Sequence, residues 1–172
     1  MTNNRFARLG VPLLVLALIV GVAGVGAWAG SEGGEQAPDI ALETPSGDTL
    51  RLSDYRGQLV LVNFWAPWCP PCRQEMPDLQ AFHDQYDDTT VLGLAISYRS
   101  EENVLNMIDM MSVTYPVAFA TQATARKFGN FRGLPTTIFV DPDGRVVGRH
   151  SGLLKPAQLE RYREKILGAS GG

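Results

Sequence analysis

Cys69 and Cys72 are the only cysteines in the 172 residues, and Pro70 and Pro71 separate them. A pair at this spacing, set where an apolar strand gives way to a helix, is suited to exchanging one disulfide for two thiols. The helix supplies the reason. Its first backbone N–H groups lack partners and its macrodipole is positive at that end, so a cysteine there is favoured as thiolate. A fall in thiol pKa from about 8.5 to about 7 raises the thiolate fraction at neutral pH from a few per cent to about half. On this reading Cys69, at the exposed end, attacks a partner disulfide, and Cys72, one turn further in, resolves the mixed disulfide by closing the internal bond. Pro70 and Pro71 fix two φ angles and hold the sulfurs at bonding distance.

Two plainer readings explain less. As a structural staple the pair closes a four-residue loop, which contributes about 2 kcal/mol in the loop-entropy model and ties no distant parts together. As half a zinc site it lacks two ligands, because no other cysteine exists and His83 and His150 fall in unrelated elements. No metal is expected, and no cofactor beyond the redox-active disulfide itself.

The elements that must position the pair are legible around it. Residues 59–65 form a nearly continuous β-branched and aromatic run, which predicts a strand buried on both faces of a sheet. Beyond the cysteines, Met76, Leu79, Phe82 and Tyr86 recur at helical spacing, with Pro77 expected to kink that helix. Further strands are predicted at 91–97, 116–120, 134–140 and 145–149, and helices at 101–111, 122–128 and 155–167, the last stopped by Gly168. A hairpin over 39–52, turning at Pro45-Ser46-Gly47-Asp48, precedes them. The order predicts an α/β domain, a central mixed sheet with helices on both faces.

The N-terminus is different in kind. After Arg5 and Arg8, residues 9–30 carry no charge, and as a helix they would be about 33 Å long, enough to cross a bilayer core of about 30 Å. The two arginines before the run and Glu32 and Glu35 after it place the N-terminus inside and the remainder outside. The competing reading is a signal segment cleaved near Ala29, since Ala27-Trp28-Ala29 fits a small-x-small site. The chain therefore divides into a tip and anchor or signal (1–30), a Gly-rich flexible linker (31–37), a domain (38–168) and a disordered tail (169–172). Losing residues 1–30 removes Arg5 and Arg8 and takes the formal charge from -3 to -5, and no basic cluster fit for phosphates is present. Nucleic acid is excluded as a partner on those grounds.

The segment Phe64-Trp65-Ala66-Pro67-Trp68-Cys69-Pro70-Pro71-Cys72-Arg73-Gln74-Glu75-Met76-Pro77 resembles the active-site signature of the thioredoxin superfamily, in particular its TlpA/ResA-like branch. Gly133-Leu134-Pro135-Thr136-Thr137 resembles the second signature of that branch, and the likeness runs from about residue 38 to 167. The resemblance implies a thioredoxin fold in a membrane-anchored extracytoplasmic protein, usually a reductant of cysteine pairs, as in cytochrome c maturation. It implies Cys69 and Cys72 as the catalytic pair and Pro135 as a cis-proline that lies against the disulfide. The backbone of Leu134 would then meet an incoming peptide. Glu75 matches an acid that tunes the thiols and accepts protons, although acids are favoured in any first helical turn. Asn63 stands where cytoplasmic thioredoxins carry a buried Asp, and an amide cannot relay a proton, so a proton leaving Cys72 must use Glu75 or water.

Around this centre, Trp68 is a candidate flat docking surface together with Pro70 and Pro71, and Trp65 is core packing. His83 reads as a surface or satisfied histidine, and Met107, Met110 and Met111 as core filling. The expected partners are disulfide- or dithiol-containing extracytoplasmic proteins and a membrane electron donor. Two other functions stay open on the same scaffold. A copper-delivery protein would need three residues between the cysteines where this chain has two, and a thiol peroxidase would consume peroxide through Cys69 alone.

Overall fold

The computed structural model describes residues 34–170. The central strand β3 (Leu59–Trp65) is buried along its whole length. Its alternate residues point to opposite faces, as pleating requires. Leu59, Leu61 and Trp65 join one apolar cluster and Val60, Val62 and Phe64 a second. The two clusters are the two halves of the core, one on each side of the sheet.

The sheet has five strands in the order β5-β4-β3-β6-β7. β4 (Thr89–Ala95) and β5 (Val117–Phe119) run parallel to β3, while β6 (Thr136–Val140) and β7 (Val146–Ser151) complete it antiparallel. Ahead of it, β1 (Ala41–Glu43) and β2 (Thr49–Arg51) pair antiparallel as a separate two-stranded ribbon. Helices α1 (Pro70–Gln85), α2 (Glu101–Met110) and α4 (Pro156–Ser170) bury Met76, Leu79, Met107 and Leu159 on the first face. The short α3 (Gln122–Lys127) and the ribbon cover the second with Ala125 and Leu50, joined by Ile40 just ahead of β1. Pro77 sits within a continuous α1.

Three expectations need correction. The predicted linker 31–37 is not free along its length: Gln36 bridges Arg145, Val146 N–H donates to Glu35 O and Ala37 N–H to Gly144 O. The chain can approach so closely because residue 34 is glycine; a Cβ there would meet Val146 O at 1.7 Å. Gly168 does not stop the last helix, which runs to Ser170 and takes in the start of the predicted tail. Glycine costs an α-helix only about 1 kcal/mol, so helical hydrogen bonding can carry through one. Cys69, expected at an exposed end, is 2% exposed.

The run 9–30 lies outside the described residues. Among those described, no helix is long and apolar enough to cross a membrane.

Candidate active site

β3 delivers the chain to one end of the sheet at Trp65, and a tight turn, closed by Cys69 N–H donating to Ala66 O at 3.0 Å, leads it into α1. Cys69 is the N-cap residue, in extended conformation, with Pro70 and Pro71 as the first two helical residues. Prolines suit these positions because an N–H there has no partner within the helix. They also thin out the donors. The Cys72 N–H is the first amide left in the helix, and it donates to Cys69 Sγ at 3.3 Å. The two sulfurs are bonded to each other across a Cα–Cα separation of 5.3 Å.

Trp68 is 60% exposed, and its orientation is set by its indole Nε1 donating to Ser97 O at 2.8 Å, at the end of β4. It forms one wall of a groove of about 580 Å³ that also takes in Tyr98, Arg99, Met107 and Met110. The methionines therefore divide between two uses: Met107 is buried in the core, and Met110 is 70% exposed along the groove. Pro70 is exposed and Pro71 half-buried. Pro135 is buried and follows Leu134 through a cis peptide bond. Because β6 runs antiparallel to β3 with Thr136 opposite Phe64, Leu134 and Pro135 emerge at the same end of the sheet as the cysteine turn. Half-buried Leu134 packs against the cluster that contains both cysteines.

Glu75 lies one turn beyond Cys72 on the same helical face and is fully buried. A carboxyl so placed needs partners. Oε1 accepts from Asn63 Nδ2 at 2.8 Å, and Oε2 accepts from Leu154 N–H at 2.9 Å. Burial pushes its pKa up to about 7 against these two bonds, which favour the charged form, and the nearby Asp78 charge adds to the rise. A carboxyl with that midpoint can take or release a proton at neutral pH. The helix dipole does not account for it: Glu75 is the sixth residue of α1, and the first turn, where the sequence reading sets it, holds no acid.

Cys69, Cys72, Glu75, Trp68, Pro70, Pro71, Leu134 and Pro135 thus converge on one end of the sheet. His83 does not join them; its Nδ1 accepts from Val91 N–H at 3.4 Å further down α1. Two contributors were not marked by the sequence: the Leu154 amide, which leaves no trace in residue type, and Tyr115, buried on the same face, which reads as an ordinary core residue. Thr137, part of the second signature but given no role there, accepts from Asn63 Nδ2 through Oγ1 at 3.0 Å.

Fold and reactive pair place the molecule among the thioredoxin-like thiol:disulfide oxidoreductases. The AhpC/TSA family model matches residues 33–149, and the chain belongs to that family. It is 33% identical over 135 residues to the thioredoxin-like protein YneN of Bacillus subtilis, covering 77% of this chain and 79% of that protein. It is 31% identical over 169 residues to the thiol-disulfide oxidoreductase ResA of Bacillus subtilis, covering 95% and 94%. A crystal structure of a thioredoxin-family thiol:disulfide interchange protein from Chlorobium tepidum superposes with a TM-score of 0.72 at 30% identity, covering 80% of this chain and 99% of that one.

Proposed function

We propose that this protein reduces disulfides in extracytoplasmic proteins, with Cys69 as nucleophile, Cys72 as resolving thiol and Glu75 as the group that takes the proton from Cys72. The observation that carries the reading is the Cys69–Cys72 disulfide at the N-cap of α1, with the Glu75 carboxyl buried one turn below it. In the reduced protein Cys69 thiolate attacks one sulfur of the client disulfide; an S–S bond forms to the client, and the client's other sulfur leaves as thiolate. Cys72 gives its proton to Glu75 and attacks Cys69, the mixed disulfide breaks, and the client leaves as a dithiol with Cys69–Cys72 oxidised. A membrane dithiol donor then restores the pair.

Trp68, Pro70 and Pro71 form the surface a client meets, and Leu134 offers backbone beside Pro135. The uncharged run 9–30 behind Arg5 and Arg8 supports a single-pass anchor with the catalytic domain outside, the alternative being secretion after cleavage near Ala29. The TlpA/ResA likeness supports apocytochrome c among the clients.

Replacing Cys72 by Ser in cells blocks resolution, so clients remain bonded to Cys69 and can be isolated and identified. Equilibration with a redox buffer tests direction. A reductant is expected well below the about -120 mV of a strong oxidant, and a value at that level would reverse the proposed electron flow.

A further inference from the structure

A group of buried polar atoms near the site has no part in the chemistry above. Among the described residues, Asn63 Oδ1, Trp65 Nε1 and the Tyr115 hydroxyl are buried without a hydrogen-bond partner. Their residues are 1%, 0% and 2% exposed. Native interiors pair nearly all such atoms, with protein or with buried water.

The three meet around Gly93. Asn63 and Gly93 are register partners in the β3–β4 ladder, and Trp65, two residues along, points to the same face. A Cβ on residue 93 would lie 3.2 Å from Trp65 Nε1 and 2.9 Å from Tyr115 Cε2, so indole and phenol both border the face of Gly93 that carries no side chain. The atoms are also complementary. Trp65 can only donate, Asn63 Oδ1 can only accept, and the Tyr115 hydroxyl can do either. That is the partner set of one buried water, which takes two to four such bonds.

We propose that Asn63, Trp65 and Tyr115 hold a water molecule beside Gly93, and that through it Tyr115 is a positioning residue for Glu75. The second half rests on the reading of Glu75 given above. Asn63 is the link, because its Nδ2 donates to Glu75 Oε1 at 2.8 Å while its buried Oδ1 is left without a protein partner. A hydrogen bond accepted at Oδ1 polarises the amide and strengthens the donor at Nδ2, which favours ionised Glu75. The proton of Tyr115 is held more tightly than usual by burial and by the charge of Glu75, so its hydroxyl stays neutral. The other titratable groups facing Glu75 are Cys72 and Asp78 on its own helix. β3 and β6 present neutral Asn63 and Thr137, the segment before α4 presents a backbone amide, Glu160 of α4 is engaged by Tyr86, and His83 flanks the Tyr115 ring.

The test is NMR on the full chain in detergent. A water cross-peak to the Trp65 indole proton, from a water resident for longer than bulk exchange, is expected in the wild type and is expected to be lost or weakened in Tyr115→Phe. Carboxyl titration should show the Glu75 midpoint moving up by about half a pH unit in Tyr115→Phe, a roughly threefold change in the ratio of ionised to neutral carboxyl. Absence of the cross-peak in the wild type overturns the water site. An unmoved Glu75 midpoint in Tyr115→Phe overturns the positioning role. If wild-type Glu75 does not titrate near neutrality, the proton-acceptor reading fails and takes the positioning role with it, while the cross-peak still decides the water. Should Tyr115→Phe not fold, Trp65→Phe removes the donor to the same water and is read by the same titration.

Discussion

Substituting Glu75 by Gln should flatten the pH dependence of stability in the oxidised protein. The Glu75 carboxyl has a pKa of about 7 in the fold against 4.5 as its ordinary value. Between those values the folded state binds the proton that the unfolded state has released. Stability is therefore fully present below about pH 4.5 and is lost as pH rises towards about 7. That interval corresponds to about 3 kcal/mol at 1.36 kcal/mol per pH unit. Gln cannot titrate, so this dependence should vanish from its curve. The absolute stability of Glu75→Gln is a poorer readout. Both carboxylate oxygens accept from N–H donors, Asn63 and Leu154, and an amide offers a second oxygen to neither, leaving one buried donor unpaired at about 1–3 kcal/mol. The assay is guanidinium unfolding of wild type and variant, disulfide intact, at intervals between pH 5 and 8. With the disulfide closed neither cysteine titrates, and the difference between the two curves isolates residue 75. Parallel curves would refute the buried-carboxyl argument.

Other expectations follow from the same geometry. Trp68→Ala removes the exposed wall of the groove beside Cys69, and turnover of a protein disulfide should fall about tenfold through KM, with alkylation of Cys69 by a small reagent changed far less; equal losses in both would contradict a docking role. Gly93→Ala drives a Cβ to 2.9 Å from the Tyr115 ring and 3.2 Å from Trp65 Nε1, so thermal unfolding should show a loss of about 1–3 kcal/mol. Arg163→Ala removes a half-buried guanidinium that pairs with exposed Asp88 at 2.8 Å and lies 3.9 Å over the Tyr86 ring; the ion-pair share of the loss, less than about 1 kcal/mol, should diminish with added salt.

The buried position of Cys69 bears on how the pair can be reached. In the oxidised protein its sulfur is covered, and the exposed surface around it belongs to Trp68 and Pro70.

What could be read before folding was whatever local pattern encodes. The run 59–65 declares a strand because seven successive residues must be buried on both sides of a sheet, and the spacing of Met76, Leu79 and Phe82 declares a helix because each turn must return an apolar side chain to the core. Cys69-Pro70-Pro71-Cys72 declares the chemistry for the same reason, since its geometry is set within one helical turn. The environment of that chemistry is another matter. Leu154 reaches Glu75 from 79 residues away, Ser97 fixes Trp68 from 29 away, and Gln36 joins Arg145 across most of the chain. These contacts are made by backbone groups, which every residue type carries alike, so nothing in the sequence marks which will be used. Whether an acid on a helix is an exposed charge or a buried proton site is decided by which strands and turns close over it, and that is settled only when the sheet is assembled.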